Sequence, residues 1–146
     1  MLSRFSGLFS AVQRRPLVPF VTLKSWLSLV DDIGTYKHLV DGVLHCIGDR
    51  LELMMEDVEG LDVNVEDGVL TIELPNRSGT YVINKQDPSR QIWFSSPQSG
   101  PQRFDYDESR KAWISDRTGD ELLSLLASEV EAKVHTKVEF KMEEEE

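Results

Sequence analysis

Between residues 61 and 115 the chain alternates apolar and polar residues in short runs broken by turn-forming pairs, and that pattern constrains the fold more than anything else in it. Leu61, Val63 and Val65 alternate with Asp62, Asn64 and Glu66. Asp67-Gly68 follows, a two-residue hairpin signal because glycine tolerates positive φ. Leu70, Ile72 and Leu74 then alternate with Val69, Thr71 and Glu73. A period of two puts alternate side chains on opposite faces of a strand. After a turn at Pro75–Gly79, the segments Thr80–Asn84 and Gln91–Ser95 read as strands flanking Asp87-Pro88. Ser96–Pro101 reads as a loop, and Arg103–Tyr106 and Ala112–Ser115 as two further strands. Parallel neighbours need crossovers of a dozen residues or more, and these connections are too short for that. The pattern therefore predicts an antiparallel meander of about six strands.

A helical period brackets the meander. Tyr36, Leu39, Val40, Val43, Ile47, Leu51 and Met54 recur at steps of three and four and predict a helix over 35–56. Asp41, His45, Asp49, Glu52 and Glu56 take its other side. Gly42 and Gly48 inside it cost roughly 1 kcal/mol each relative to alanine. A second helix is expected from near Thr118, whose spacing to Glu121 fits a capping box. Leu122, Leu123, Leu125, Leu126, Val130 and Val134 supply its apolar side. Two amphipathic helices and one sheet give an α+β fold, a two-layer α-β sandwich with both helices on one face of the sheet. The other sheet face must meet solvent or a partner. The domain is expected over residues 31–136. Residues 137–146 form an acidic tail in which Val138, Phe140 and Met142 alternate, so part of it is expected to pack as a strap.

Charge divides the chain again. The whole sequence carries −10, but residues 1–30 hold four bases and no acid. The other 116 residues therefore carry −14. An acid-free segment with arginine and serine suits an organelle transit peptide, or else a plain basic arm. Residues 31–67 hold eleven acids and two bases, whereas residues 77–117 hold seven bases and five acids. The first helix and strand thus form an acidic ridge, and the sheet is near neutral. A domain this acidic is a poor match for nucleic acid. No run of 18 apolar residues exists to span a membrane, and a single cysteine rules out a disulfide framework.

Two places invite chemistry. In Gln91-Ile92-Trp93-Phe94-Ser95, Ile92 and Phe94 share one face, and Trp93 shares the other with Gln91 and Ser95. If the helices cover Ile92 and Phe94, Trp93 projects from a polar face as an anchor for a partner, with Asn84, Gln86 and Arg103 nearby. If the faces are reversed, Trp93 is core. On the first helix, Asp41, His45 and Asp49 are four apart and stack along one side. Carboxylates with an imidazole suit Fe²⁺, and equally make an ordinary solvated face. Cys46 lies beside the apolar stripe and reads as an inert thiol. His38 and His135 read as surface residues, and Tyr81 and Tyr106 as packing residues. No phosphate-cradling glycine loop, catalytic triad order or metalloprotease motif is present.

The stretches Gly79-Thr80-Tyr81-Val82-Ile83-Asn84-Lys85-Gln86 and Gln91-Ile92-Trp93-Phe94-Ser95-Ser96-Pro97-Gln98-Ser99-Gly100-Pro101 resemble the frataxin family. The likeness continues through Arg103-Phe104-Asp105-Tyr106, Trp113 and the Leu122–Glu129 helix, and covers roughly residues 32–134. It implies the same helix-on-sheet sandwich, a place in the mitochondrial matrix, and a monomer. It implies a role in iron–sulfur cluster assembly, by binding a cysteine desulfurase and its scaffold protein and accelerating sulfur transfer. It also implies weak iron binding, and an alternative as a ferroxidase or iron chaperone that oxidises, stores or delivers Fe²⁺. Asn84, Gln86, Gln91, Ile92, Trp93 and Arg103 match the positions that meet the assembly complex. Asp41, His45, Asp49, Glu52, Glu56, Asp57 and Asp62 fit the metal-binding ridge, with Lys37, Gly42 and His45 departing from the acids common there.

Overall fold

The computed structural model describes residues 32–143. The basic leader and the last three glutamates lie outside them. Helix α1 (Ile33–Met55) opens the fold. Six strands follow: β1 (Asp62–Glu66), β2 (Val69–Glu73), β3 (Thr80–Gln86), β4 (Gln91–Ser96), β5 (Gly100–Asp107) and β6 (Ala112–Ser115). Helix α2 (Leu122–Val134) closes it. The strands pair antiparallel in chain order, as one open sheet with no crossover. This is the α+β sandwich that the alternation and the two helical stripes require.

The core lies between the inner sheet face and the two helices. From β2, β3 and β4 it takes Leu70, Ile72, Tyr81, Ile83, Ile92 and Phe94. From α1 it takes Tyr36, Val40, Val43, Leu44, Ile47, Leu51 and Met54, and from α2 Leu122, Leu126 and Val130. Aromatic edges tie the layers together: Tyr36 meets Trp113 at 6.0 Å between ring centroids, and Trp113 meets Tyr106 at 5.3 Å. The Tyr36 hydroxyl donates to the Gln91 carbonyl at 2.8 Å, fixing the first turns of α1 to the start of β4. Asp32 caps α1 by accepting from the Thr35 amide at 2.8 Å. Gly48 is buried in mid-helix, where an added methyl group would stand 3.3 Å from Val65. Its poor helix propensity is thus exchanged for a close approach of β1.

Three local expectations shift, and the expected strap forms in part. Val65 belongs to the apolar set of β1, yet it is 43% exposed, because β1 is an edge strand at the rim of the helix layer. The strand β5 starts at Gly100, inside the segment expected to be loop, and Pro101 pairs with Ser95. Proline is tolerated near the start of a strand, where a missing N–H costs least. The cap of α2 is Glu121, not Thr118. Its carboxylate accepts from the amides of Leu123 at 2.9 Å and Ser124 at 2.7 Å. Thr118 sits in the preceding turn, its hydroxyl on Gln102 at 3.3 Å. Finally, the tail packs as a strap through Val138, which is buried, and Phe140, which is half-buried. The Cys46 thiol donates to the Lys141 carbonyl at 3.2 Å, so the strap runs along α1. Met142, the third residue of the alternation, is 45% exposed.

Candidate functional site

The open sheet face is built by register. Val69, Asn84, Trp93 and Arg103 are successive cross-strand partners, so they form one row across β2, β3, β4 and β5. The neighbouring row is Thr71, Val82, Ser95 and Pro101. Gln86 pairs with Gln91 beyond the first row. Trp93 is 41% exposed, which decides between the two readings of that residue: the helices cover Ile92 and Phe94, and the indole faces out. The Arg103 guanidinium lies over the Trp93 ring, 5.2 Å from its centroid. Gln91 reaches Asp105 through its amide nitrogen at 3.0 Å. Its oxygen lies 3.4 Å from the indole nitrogen, so it steadies the ring from the other side.

One residue assigned to this surface is not on it. Ile92 is fully buried and faces the helices, as strand alternation beside an exposed Trp93 demands. Its contribution to the face is indirect, by holding β4 against the core.

Beside the tryptophan the face sinks into a groove of about 570 Å³. Val82, Trp93 and Pro101 provide its apolar surface, and Arg103, Asp116 and Arg117 its charged side chains. The strand rows explain the first four of these residues. The last two come from the turn after β6, which hydrogen bonding draws alongside β5: the Asp116 amide donates to the Arg103 carbonyl at 3.0 Å.

The acidic ridge occupies the other side of the molecule. His45, Asp49, Glu52, Glu56, Asp57 and Asp62 are exposed along α1, the turn after it and β1, and Asp41 is partly buried. The stacked trio does not converge. Asp41 turns to Lys85, whose ammonium donates to it at 3.4 Å. His45 folds back on its own helix, its Nδ1 2.8 Å from the Asp41 backbone carbonyl. A carbonyl only accepts, so Nδ1 is the donor in this contact. Among the described residues no three His, Cys, Asp or Glu side chains are grouped to hold a metal ion. The reason is geometric: a convex helix face spreads carboxylates apart, and here Lys85 also claims one of them.

Lys85 was not visible from the sequence as part of this edge. It shares the inner face of β3 with Tyr81 and Ile83, and its aliphatic stem crosses Gly68. A Cβ on Gly68 would overlap that stem, and the residue also holds φ at +77°. Glycine there satisfies the hairpin and clears the path of Lys85 to the helix.

A frataxin-like domain model matches residues 30–136 of this sequence. The chain belongs to the frataxin family. It is 47% identical over 113 residues to the mitochondrial frataxin of Dictyostelium discoideum, a match covering 76% of this chain and 58% of that protein. The chain therefore spans about three fifths of that relative. It is 46% identical over 66 residues to the iron–sulfur cluster assembly protein CyaY of Thioalkalivibrio sulfidiphilus, covering 45% of this chain and 60% of the other. Among solved structures it resembles a trimeric frataxin of Saccharomyces cerevisiae complexed with ferrous iron. That likeness has a TM-score of 0.60 at 42% identity, over 67% of this chain and 87% of the other. The frataxin-like match ends at residue 136, so all six strands and both helices lie inside it and the strap lies beyond it.

Proposed function

We propose that this member of the frataxin family acts in mitochondria as an activator of iron–sulfur cluster assembly, binding a cysteine desulfurase–scaffold complex and accelerating sulfur transfer. The observation that carries the reading is the exposed Trp93, aligned with Asn84 and Arg103 across three strands of a face left open among the described residues. An indole offers a large contact area at little entropy cost, and a guanidinium stacked on it is pre-positioned. Together they suit a partner junction better than open water. Gln91 and Gln86 supply neutral hydrogen-bonding groups beside the anchor. Docking here would favour the conformation in which the sulfur-carrying cysteine reaches the scaffold. The acidic ridge, on the opposite side, is free to meet a basic patch of the complex.

The basic leader suits import into the mitochondrial matrix. The name of the Thioalkalivibrio relative and the ferrous ion of the yeast structure support a role in iron–sulfur chemistry. In this reading Fe²⁺ is cargo, met weakly and openly by ridge carboxylates such as Asp49, Glu52 and Glu56. A ferroxidase would need those carboxylates gathered around the metal, and the ridge spreads them. The chain is read as working as a monomer.

Sulfur-transfer kinetics of a reconstituted desulfurase–scaffold complex test the proposal. Wild type should stimulate the rate. Trp93→Ala should weaken binding about thirtyfold or more while keeping the thermal midpoint. A variant that stimulates as well as wild type would sink it.

A further inference from the structure

The groove beside Trp93 ends in Arg117, a residue that neither the strand rows nor the ridge accounts for. Arg117 is exposed, but it is firmly placed. Its Nη2 donates to the Ser99 carbonyl at 3.1 Å. Its amide donates to the Ser115 hydroxyl at 3.3 Å. Ser99 belongs to the turn between β4 and β5, which a buried polar cluster holds. The Ser96 hydroxyl accepts from the amides of Gln98 and Ser99, each at 2.9 Å, and donates to the buried Glu129 of α2. Gln102, also buried, donates to the Ser99 hydroxyl at 3.1 Å and accepts from Ser115 at 2.9 Å. Buried polar groups satisfied in this way fix both turns. The guanidinium at the groove's end is thus preorganised by a network reaching into the core.

Among the described residues, no carboxylate forms an ion pair with Arg103 or Arg117. Asp116 is the one acid lining the groove, so its lining carries one net positive charge. Two fixed guanidiniums beside an apolar surface of Val82, Trp93 and Pro101 are complementary to an apolar chain bearing negative charge. Pro101 and Arg103 stand two residues apart on one strand face, ~7 Å, the repeat of an extended peptide. We propose that the groove receives an extended peptide segment of the assembly partner, its apolar residues on Trp93 and Pro101 and a carboxylate side chain paired with Arg117. This rests on the docking role of the Trp93 face and adds the chemistry of what docks. A planar guanidinium favours a carboxylate, which it can grip through two parallel N–H donors.

The test is equilibrium binding to the reconstituted desulfurase–scaffold complex at low and high salt, with thermal midpoints as the folding control. Arg117→Ala should weaken binding roughly fivefold and flatten its salt dependence, and Arg117→Glu should weaken it more than about tenfold. Arg117→Lys should recover part of the loss. Reversing one acidic residue of the partner to lysine should restore Arg117→Glu and no other variant. If Trp93→Ala loses binding while Arg117→Glu binds like wild type, the carboxylate pairing is overturned and the docking face stands. If both bind like wild type, both readings fall. If Arg117→Glu is weakened but no partner reversal restores it, Arg117 only supports the Ser99 turn, and the pairing is again overturned.

Discussion

One peptide step separates Ile92 from Trp93, and the two side chains have opposite fates. Alternation in β4 sends Ile92 into the core and Trp93 into solvent. Ile92→Ala should therefore cost about 2–5 kcal/mol of stability in denaturant unfolding. Trp93→Ala should cost less than about 1 kcal/mol in the same experiment while abolishing stimulation of the partner. Equal losses of stability would contradict the register. A second residue-scale expectation concerns Tyr36. Burial, as the largest cause, pushes its hydroxyl up to about 12, with the backbone of Gln86 opposing the rise. A raised folded-state value means that stability is intact below the ordinary phenol value near 10. It is lost as pH climbs from there through about 12. Unfolding free energy measured between pH 9 and 12 should fall in wild type and fall less steeply in Tyr36→Phe. The sequence showed that Ile92 and Trp93 point in opposite directions. It did not show which one the helices cover, because that depends on which sheet face receives them.

At the scale of elements, the start of α2 shows where local signals run out. Thr118 and Glu121 both offer a side-chain oxygen at a plausible distance from the leucine run. The choice is made by what precedes them. The Ser115 amide bonds the Asp120 carbonyl at 2.8 Å, and Ile114 forms a β-bridge with Glu121. The chain is thereby held extended through Glu121 and turns helical only at Leu122. Glu121→Ala should lower stability by about 1 kcal/mol, and Thr118→Ala should lower it by less, by chemical denaturation. The strap is the other element on which tertiary contact decides. Its alternation announced that something would pack, and Val138 and Phe140 do. Its path over Cys46 depends on the shape of α1 and could not be read from the alternation.

For the whole molecule, the strap and the groove define separate sides. Removing residues 137–146 strips Val138 and Phe140 from the core edge and should cost about 2–4 kcal/mol. The same truncation should uncover Cys46. Burial first, and the charge of Asp49 next, push its thiol above the ordinary range, which keeps it in the unreactive protonated form. Labelling by a disulfide reagent should accelerate at least about tenfold after truncation. An unchanged rate would mean that the strap does not shield the thiol. Across the molecule, the ridge lies on the outer side of α1 and the groove on the far side of the sheet, so the acidic and near-neutral halves of the sequence become two surfaces facing apart.

Period and turn chemistry alone determined the elements, their order and the antiparallel sheet. Connections of a few residues leave a strand no other neighbour, and a run of alternating residues has only two faces to offer. The same reasoning found Trp93 and the acidic side of α1. Only the tertiary structure decided that Ile92 is buried, that Asp41 turns to Lys85 instead of joining His45 and Asp49, and that Arg117 meets the groove from a turn fourteen residues beyond Arg103. Each of these is a contact between segments distant in the chain. Such contacts depend on how far a side chain reaches once the layers are stacked, and spacing along one segment carries no record of that.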